Sequence, residues 1–205
     1  MLTKVSGIIL AGGMSRRLGR DKAIEKIEGQ TLIERAIDRL SLLTNEVLVV
    51  VNSEERALSL CLPNHVKTAI DIYPSKGSLG GIYTGVLASN HDWNIVVACD
   101  MPFLNVDLLR NMLSFRGGTD AIVPILNQYP EPTHAIYSKN CLPFILQKIE
   151  TDELKIDGFF SDIKVHLFSE EQVNEFDPNH LSFFNINSQK DLDKALKIIA
   201  TRVQQ

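Results

Sequence analysis

Cysteine is scarce in this chain, and the three that occur, Cys61, Cys99 and Cys141, stand far apart with no C-x-x-C spacing. That pattern excludes a disulfide framework and a cysteine-ligated zinc site, and it suits a reducing cytoplasmic compartment. Long apolar runs are missing as well. The stretch from Met1 to Ala11 holds only a few consecutive apolar residues before glycines and arginines begin, too few for a signal segment or a membrane span, and no later stretch approaches membrane length. Positive charge is not in excess. The net charge of -4 argues against the broad basic face that nucleic acid requires, although a small anionic ligand needs only a local basic cluster. The five histidines have no ligand spacing and read as surface or packing residues, and the single tryptophan, Trp93, reads as core or rim.

What is present fits a globular chain: 205 residues, 44% hydrophobic and 22% charged, enough to bury one substantial core and short for two. Residues 1–205 are therefore expected to form a single domain. Val5 to Ala11 is a short apolar run that stops at Gly12-Gly13, as a strand buried on both faces would. Glu46 to Val51, Val66 to Ile70 and Ile95 to Ala98 read as further strands, ending at Asn52, Asp71 and Cys99-Asp100. Between them, Leu32, Ile33, Ala36, Ile37, Leu40 and Leu43 recur at helical spacing, and helices are expected over Gly80 to Ala88 and Val106 to Leu113. Strands alternating with helices imply parallel pairing through right-handed crossovers, hence an α/β fold with helices on both faces of a mostly parallel, twisted sheet.

The second half is less regular. Ala121 to Pro124, His134 to Tyr137 and Val165 to Phe168 look like strands, with a helix near Leu142 to Ile149. Ser188 and Asp191 have capping-box spacing ahead of a final helix with Leu192, Ala195, Leu196 and Ile199 on one side.

In open sheets of this class ligands bind beyond the carboxyl ends of the strands, where Gly12, Asn52, Asp71 and Asp100 are expected to lie. The segment Leu10 to Lys22 is the most informative. Paired glycines after a strand let backbone N–H groups approach a phosphate, and Arg16, Arg17, Arg20 and Lys22 can neutralise a triphosphate. Neither G-x-x-x-x-G-K-S/T nor G-x-G-x-x-G spacing is met, so this is not one of the two commoner glycine loops. The plain alternative is a basic surface turn. Asp100, directly after a buried strand, has the hard oxygen ligand that Mg²⁺ takes, and the alternative for it is a helix cap. Asp71 could accept from the two adjacent donors on a guanine edge, and Asn52 could assist at base or ribose, although both also suit turns. Asn185 and Asn187 alternate just before the last helix and share a side. Ser15 has no nearby histidine base, so a serine nucleophile is not expected.

Together these segments resemble the molybdenum cofactor guanylyltransferase family, within a wider group of sugar-phosphate and cofactor nucleotidyltransferases. The resemblance covers nearly the whole chain. It rests on Leu10-Ala11-Gly12-Gly13 with Ser15, Arg17, Gly19, Asp21 and Lys22; on Asn52 and Asp71; on Gly77-Ser78-Leu79-Gly80-Gly81; on Cys99-Asp100-Met101-Pro102; on Pro130-Glu131-Pro132; and on Asn185-Ile186-Asn187. Two positions depart from the family pattern, Leu18 for methionine and Ser78 for proline, and neither removes a charged group.

The resemblance implies a three-layer α/β/α, Rossmann-like nucleotide-diphospho-sugar transferase fold, with a nucleotide-binding half over 1–115 and an acceptor-binding half over 116–205. It implies GTP and molybdopterin as substrates, Mg²⁺ as cofactor, transient contact with other molybdenum cofactor biosynthesis or acceptor proteins, and neither nucleic acid nor membrane as partner. Leu10, Ala11, Gly12, Gly13, Lys22, Asn52, Asp71, Asp100, Asn185 and Asn187 would form the binding site. Asp100, Lys22 and Arg17 would act in catalysis, and Asp100 would also hold the metal. Rival expectations are the same fold acting on CTP or a sugar phosphate, and a nucleotide-binding module without turnover.

Overall fold

A computed structural model describes residues 4–13 and 21–203. Strand β1 (Val5–Leu10) leads to a short hairpin of β2 (Lys26–Ile27) and β3 (Gln30–Thr31), then helix α1 (Leu32–Ser41), β4 (Glu46–Val51), α2 (Glu54–Ser59), β5 (Lys67–Ile70), α3 (Gly77–Ala88) and β6 (Trp93–Ala98). The second half runs α4 (Val106–Met112), β7 (Ala121–Leu126), β8 (Tyr129–Pro130), β9 (His134–Ser138), α5 (Leu142–Glu150), β10 (Val165–Phe168), α6 (Glu170–Asn174) and α7 (Gln189–Val203).

The main sheet has the order β10-β7-β9-β6-β1-β4-β5, with β8 paired to β7. β1 pairs in parallel with both β4 and β6, and β4 with β5. From β1 the chain moves outward to β4 and β5, then returns to lay β6 on the other side of β1. That reversal opens a crevice beyond the carboxyl ends of β1 and β6, the place where this architecture binds ligands. β9 runs antiparallel to both β6 and β7. The reason is local: residues 127–133 are too few for a parallel crossover, and Asn127 and Gln128, both with positive φ, close a tight hairpin between β7 and β8.

Alternate residues of β1 feed two cores, as the two-residue period of a strand requires. Ile9 packs with Ile33, Ile37 and Leu40 of α1 and Leu108 and Met112 of α4. Ile8 packs on the other face with Leu79, Ile82 and Val86 of α3 and Ile145 and Ile149 of α5. The three layers are thus helix, sheet, helix. A third cluster joins Ile27, Phe103 and Ile186 to Leu192, Ala195 and Ile199 of α7, but Leu196, expected on that stripe, is 42% exposed. The buried face of α7 is narrower than its apolar pattern.

Two helix starts set the site. α1 opens with a capping box, Thr31 accepting from the Glu34 N–H and Glu34 returning the bond, which stabilises the entrance by about 1 kcal/mol. α3 begins at Gly77, three residues before the expected Gly80, with no side-chain cap. It lies close on the sheet because of Gly85, where a Cβ would fall 2.5 Å from Ile8 Cγ2.

Candidate functional site

The crevice is a cleft of about 350 Å³ lined by the ends of four parallel strands. Leu10, Gly12 and Gly13 come from β1, Asn52 from β4, Asp71 from β5, and Cys99 and Asp100 from β6. Gly77, Ser78 and Gly81 of α3 form one wall, and Thr133, just before β9, closes the other side. The ladders continue past the strand ends: Ala11 N donates to Val50 O at 2.8 Å, Cys99 N to Leu10 O at 3.1 Å and Asp71 N to Val51 O at 2.7 Å. The chain therefore leaves each strand at one level, which brings residues far apart in sequence to one rim.

At one end of the cleft, the Lys22 ammonium lies 3.1 Å from Asp100 Oδ2, with both side chains largely buried. Lys22 also donates to the Asn187 side-chain carbonyl. The last helix is brought to this corner by the Ile186 N–H, which donates to the Asp100 carbonyl at 3.0 Å. Asp100 Oδ1 is buried and has no hydrogen-bond partner among the described residues. An orphaned carboxylate oxygen in a polar cleft is costly unless something cationic or protic meets it. Among the described residues no cluster of three or more His, Cys, Asp or Glu could hold a metal. A cation here would have this one carboxylate plus oxygens of a ligand and water, the coordination habit of Mg²⁺ rather than of zinc. Beside it the Cys99 thiol is pushed up to about 12, by burial first and by the Asp100 charge second, and stays a neutral wall residue.

At the other end, Asp71 uses one oxygen to hold itself. Oδ1 accepts from Tyr73 N at 2.9 Å and from Thr84 Oγ1 at 2.8 Å, and Thr84 Oγ1 in turn accepts from Ile72 N at 3.1 Å. Oδ2 has no partner among the described residues and lies toward Gly81, 3.9 Å from where a Cβ there would sit. The turn role and the acceptor role thus fall on different oxygens of one carboxylate. Gly12 sits over the start of the next loop, its absent Cβ 3.5 Å from the Asn52 backbone nitrogen.

Other residues of interest fall elsewhere. The Ala11 methyl is buried in the core against α1 and β4. Its N–H is spent on Val50 and its carbonyl accepts from Arg56 Nε at 3.2 Å. Asn185 does not line the cleft; its amide donates to the Phe183 carbonyl at 3.0 Å. Arg17, with Ser15 and Gly19, lies outside the described residues. Three residues at the site escape a reading of the sequence. Thr133 precedes a strand without a motif, Thr84 hides among the apolar residues of α3, and Arg56 belongs to a helix with no apolar stripe. For Thr84, its place one helical turn past the Gly80-Gly81 pair is the one available signal.

Comparison with known proteins gives the family and the fold. A model of the MobA-like NTP transferase domain matches residues 7–158. A probable molybdenum cofactor guanylyltransferase of Natranaerobius thermophilus is 34% identical over 203 residues, covering 97% of this chain and 98% of the relative. A molybdenum cofactor guanylyltransferase of Desulfosudis oleivorans is 32% identical, covering 93% and 94%. Among solved structures, molybdopterin-guanine dinucleotide biosynthesis protein A from Archaeoglobus fulgidus superposes with a TM-score of 0.84 at 28% identity, over 96% of this chain and 99% of that one.

Proposed function

From the premise that this chain belongs to the molybdenum cofactor guanylyltransferases, a family of MobA-like nucleotidyltransferases, we propose that it transfers GMP from GTP to the terminal phosphate of molybdopterin. The observation that carries the proposal is the convergence in one cleft of Gly12 and Gly13, the Lys22–Asp100 pair and the Asp71 carboxylate, whose Oδ2 has no partner among the described residues. In the reaction, an ionised phosphate oxygen of molybdopterin forms a bond to the α-phosphorus of GTP. The bond from that phosphorus to the α–β bridging oxygen breaks, and pyrophosphate leaves with the electron pair. The attacking oxygen carries no proton, so no general base is required, and catalysis falls to positioning and charge neutralisation.

Each residue has a part in that division of labour. Asp71 Oδ2 accepts from the ring N–H and amino group of guanine, and Asn52 supports base or ribose. The glycine-loop amides and Lys22 stabilise charge on the departing pyrophosphate, with Arg17 proposed to assist. Asp100 would hold Mg²⁺ through its unpartnered Oδ1, and the ion when bound would neutralise charge between nucleotide phosphates. Asn187 holds Lys22 in place. Among the described residues no helix is long and apolar enough to cross a membrane. The cytoplasm is proposed as the compartment on separate grounds, the few and scattered cysteines that suit a reducing environment.

The test is pyrophosphate release from GTP, CTP, ATP and UTP, each with molybdopterin and Mg²⁺. Release with GTP alone, together with formation of the dinucleotide, supports the proposal. Equal use of CTP, or release without dependence on molybdopterin, rejects it.

A further inference from the structure

Helix α2 gives no buried residue to the core, yet the side chain of its Arg56 is only 13% exposed. Rather than reaching into water, the guanidinium crosses to the glycine loop. Its Nε donates to the Ala11 carbonyl at 3.2 Å, and its two terminal nitrogens engage both oxygens of Asp21, one of them at 2.7 Å. Asp21 also accepts from Ala23 N at 3.0 Å and so caps the single 3₁₀ turn Lys22–Ile24. Arg56 therefore grips the residue before Gly12 and the residue before Lys22 at once. Only a planar fork can do this; a lysine would offer one point charge.

The electrostatics point the same way. Burial favours protonation of the Asp21 carboxyl, but the hydrogen bond and charge of Arg56 overcome it and hold Asp21 below the usual carboxylate range. Without the guanidinium, Asp21 would be an uncompensated anion one residue from Lys22, in competition with Asp100 for the ammonium and repelling polyphosphate. Arg56 does not line the cleft, and each of its three nitrogens already donates to Ala11 or Asp21, so its fork is turned to the loop rather than to a ligand.

We propose that Arg56 is a positioning residue for nucleotidyl transfer: through Ala11 and Asp21 it fixes the glycine amides and the Lys22 ammonium relative to each other. This rests on the GMP-transfer reading of the same cleft. A displacement of such groups by about 1 Å costs on the order of a hundredfold in rate without altering how an acceptor docks elsewhere.

The experiment compares the full chain with Arg56→Lys, Asp21→Asn and the double variant, at a temperature where near-UV circular dichroism shows each folded. Steady-state pyrophosphate release is read as kcat and as KM for molybdopterin. Positioning predicts a fall of about a hundredfold in kcat for either single variant, with the acceptor KM nearly unchanged. The double variant should be no slower than the worse single one, because both changes break the same link. Wild-type kcat in folded Arg56→Lys, or losses that multiply in the double variant, overturns the proposal. Should Arg56→Lys not fold, Asp21→Asn decides alone, and undiminished kcat in it is equally fatal. A wild-type chain that neither binds nor turns over GTP would sink the GMP-transfer reading and this inference with it. Wild-type turnover beside unimpaired variants sinks this inference only.

Discussion

The Lys22 ammonium sits 3.1 Å from Asp100 Oδ2 across a sequence separation of 78 residues, and the other Asp100 oxygen is left buried without a partner among the described residues. In the proposed reaction this cation and anion would take opposite companions, phosphate oxygens for Lys22 and a divalent cation for Asp100. Asp100→Asn keeps the shape and removes the charge, so turnover should drop by at least about a hundredfold. Titration calorimetry separates the causes. Metal-free GTP binding should be no weaker in the variant, because a carboxylate that repels phosphate has gone, whereas the gain on adding Mg²⁺ should vanish. A gain equal to the wild-type one would remove Asp100 from the metal site. Chelation of divalent ions in the wild type should likewise abolish turnover, with recovery on adding Mg²⁺.

Lys22→Met tests the other half of the pair. Loss of a charge-assisted contact to phosphate predicts roughly tenfold weaker GTP binding, and the variant leaves Asp100 and Asn187 without their shared cation. Unchanged GTP affinity would place Lys22 outside the nucleotide site.

Two glycines that look alike in sequence should behave in opposite ways. At Gly85 a Cβ would meet Ile8 Cγ2 at 2.5 Å and Val50 Cγ2 at 3.0 Å, inside the helix–sheet interface. Gly85→Ala should therefore destabilise the fold by about 1–3 kcal/mol, as overpacking does. At Gly12 the added atom would have ordinary contacts, the nearest at 3.5 Å. Gly12→Ala should leave the melting temperature almost unchanged while weakening GTP binding, since the methyl group would narrow the approach to the backbone amides. Equal losses of stability in both would show that Gly12 is retained for packing.

How much of this could be read from residues alone depends on how each signal is made. The strands β1, β4 and β6 each end in a run of apolar residues closed by glycine or polar residues, so both the sheet and the positions of Gly12, Asn52 and Asp100 are legible. α1 is legible by its stripe and its cap. The first turn of α3 is not, because glycine disfavours helix and, of Gly77 to Leu79, only Leu79 is buried to give an apolar signal. α2 is invisible for a different reason: a helix with no buried residue has no periodicity to detect, and with it goes Arg56. Strand order is also unwritten in composition, although the short span from β7 to β9 could have announced the antiparallel insertion.

Base selection should depend on Thr84 as well as on Asp71. Thr84 and Tyr73 N hold Oδ1, so that Oδ2 faces the cleft. If Oδ2 accepts from guanine, the wild-type chain should bind GTP better than ITP, which lacks the amino group, by about tenfold or more. Asp71→Asn presents a donor in place of an acceptor and should erase that difference. Thr84→Val frees the carboxylate to turn and should shrink it while leaving ATP affinity unaffected. An Asp71→Asn variant that still prefers GTP over ITP and ATP would assign base recognition to other residues.

Acid should weaken the fold through His134 before the carboxylates are reached. This side chain on β9 is fully buried, its ring centroid 4.4 Å from that of Phe183 and its Nε2 3.3 Å from Ser182 Oγ. Burial pushes its pKa down to about 3, whereas the unfolded chain protonates it near the ordinary value of about 6.5. Between those values the unfolded state binds a proton that the folded state refuses. The stabilisation is therefore complete above about pH 6.5 and declines as pH falls toward 3, by at most about 1.4 kcal/mol per pH unit. Asp21 and Glu46 act lower: burial favours their protonation, but Arg56 for the first, and Asn90, Lys67 and Ser6 for the second, hold them below the usual range. Their contribution is present above about pH 4 and is lost as pH drops through their depressed values. Urea unfolding from pH 6.5 to 5 isolates the histidine: His134→Gln should flatten the dependence there, whatever it costs in absolute stability, and leave the steeper loss below pH 4 in place. An unchanged slope between pH 6.5 and 5 would mean that a different group takes up the proton on unfolding.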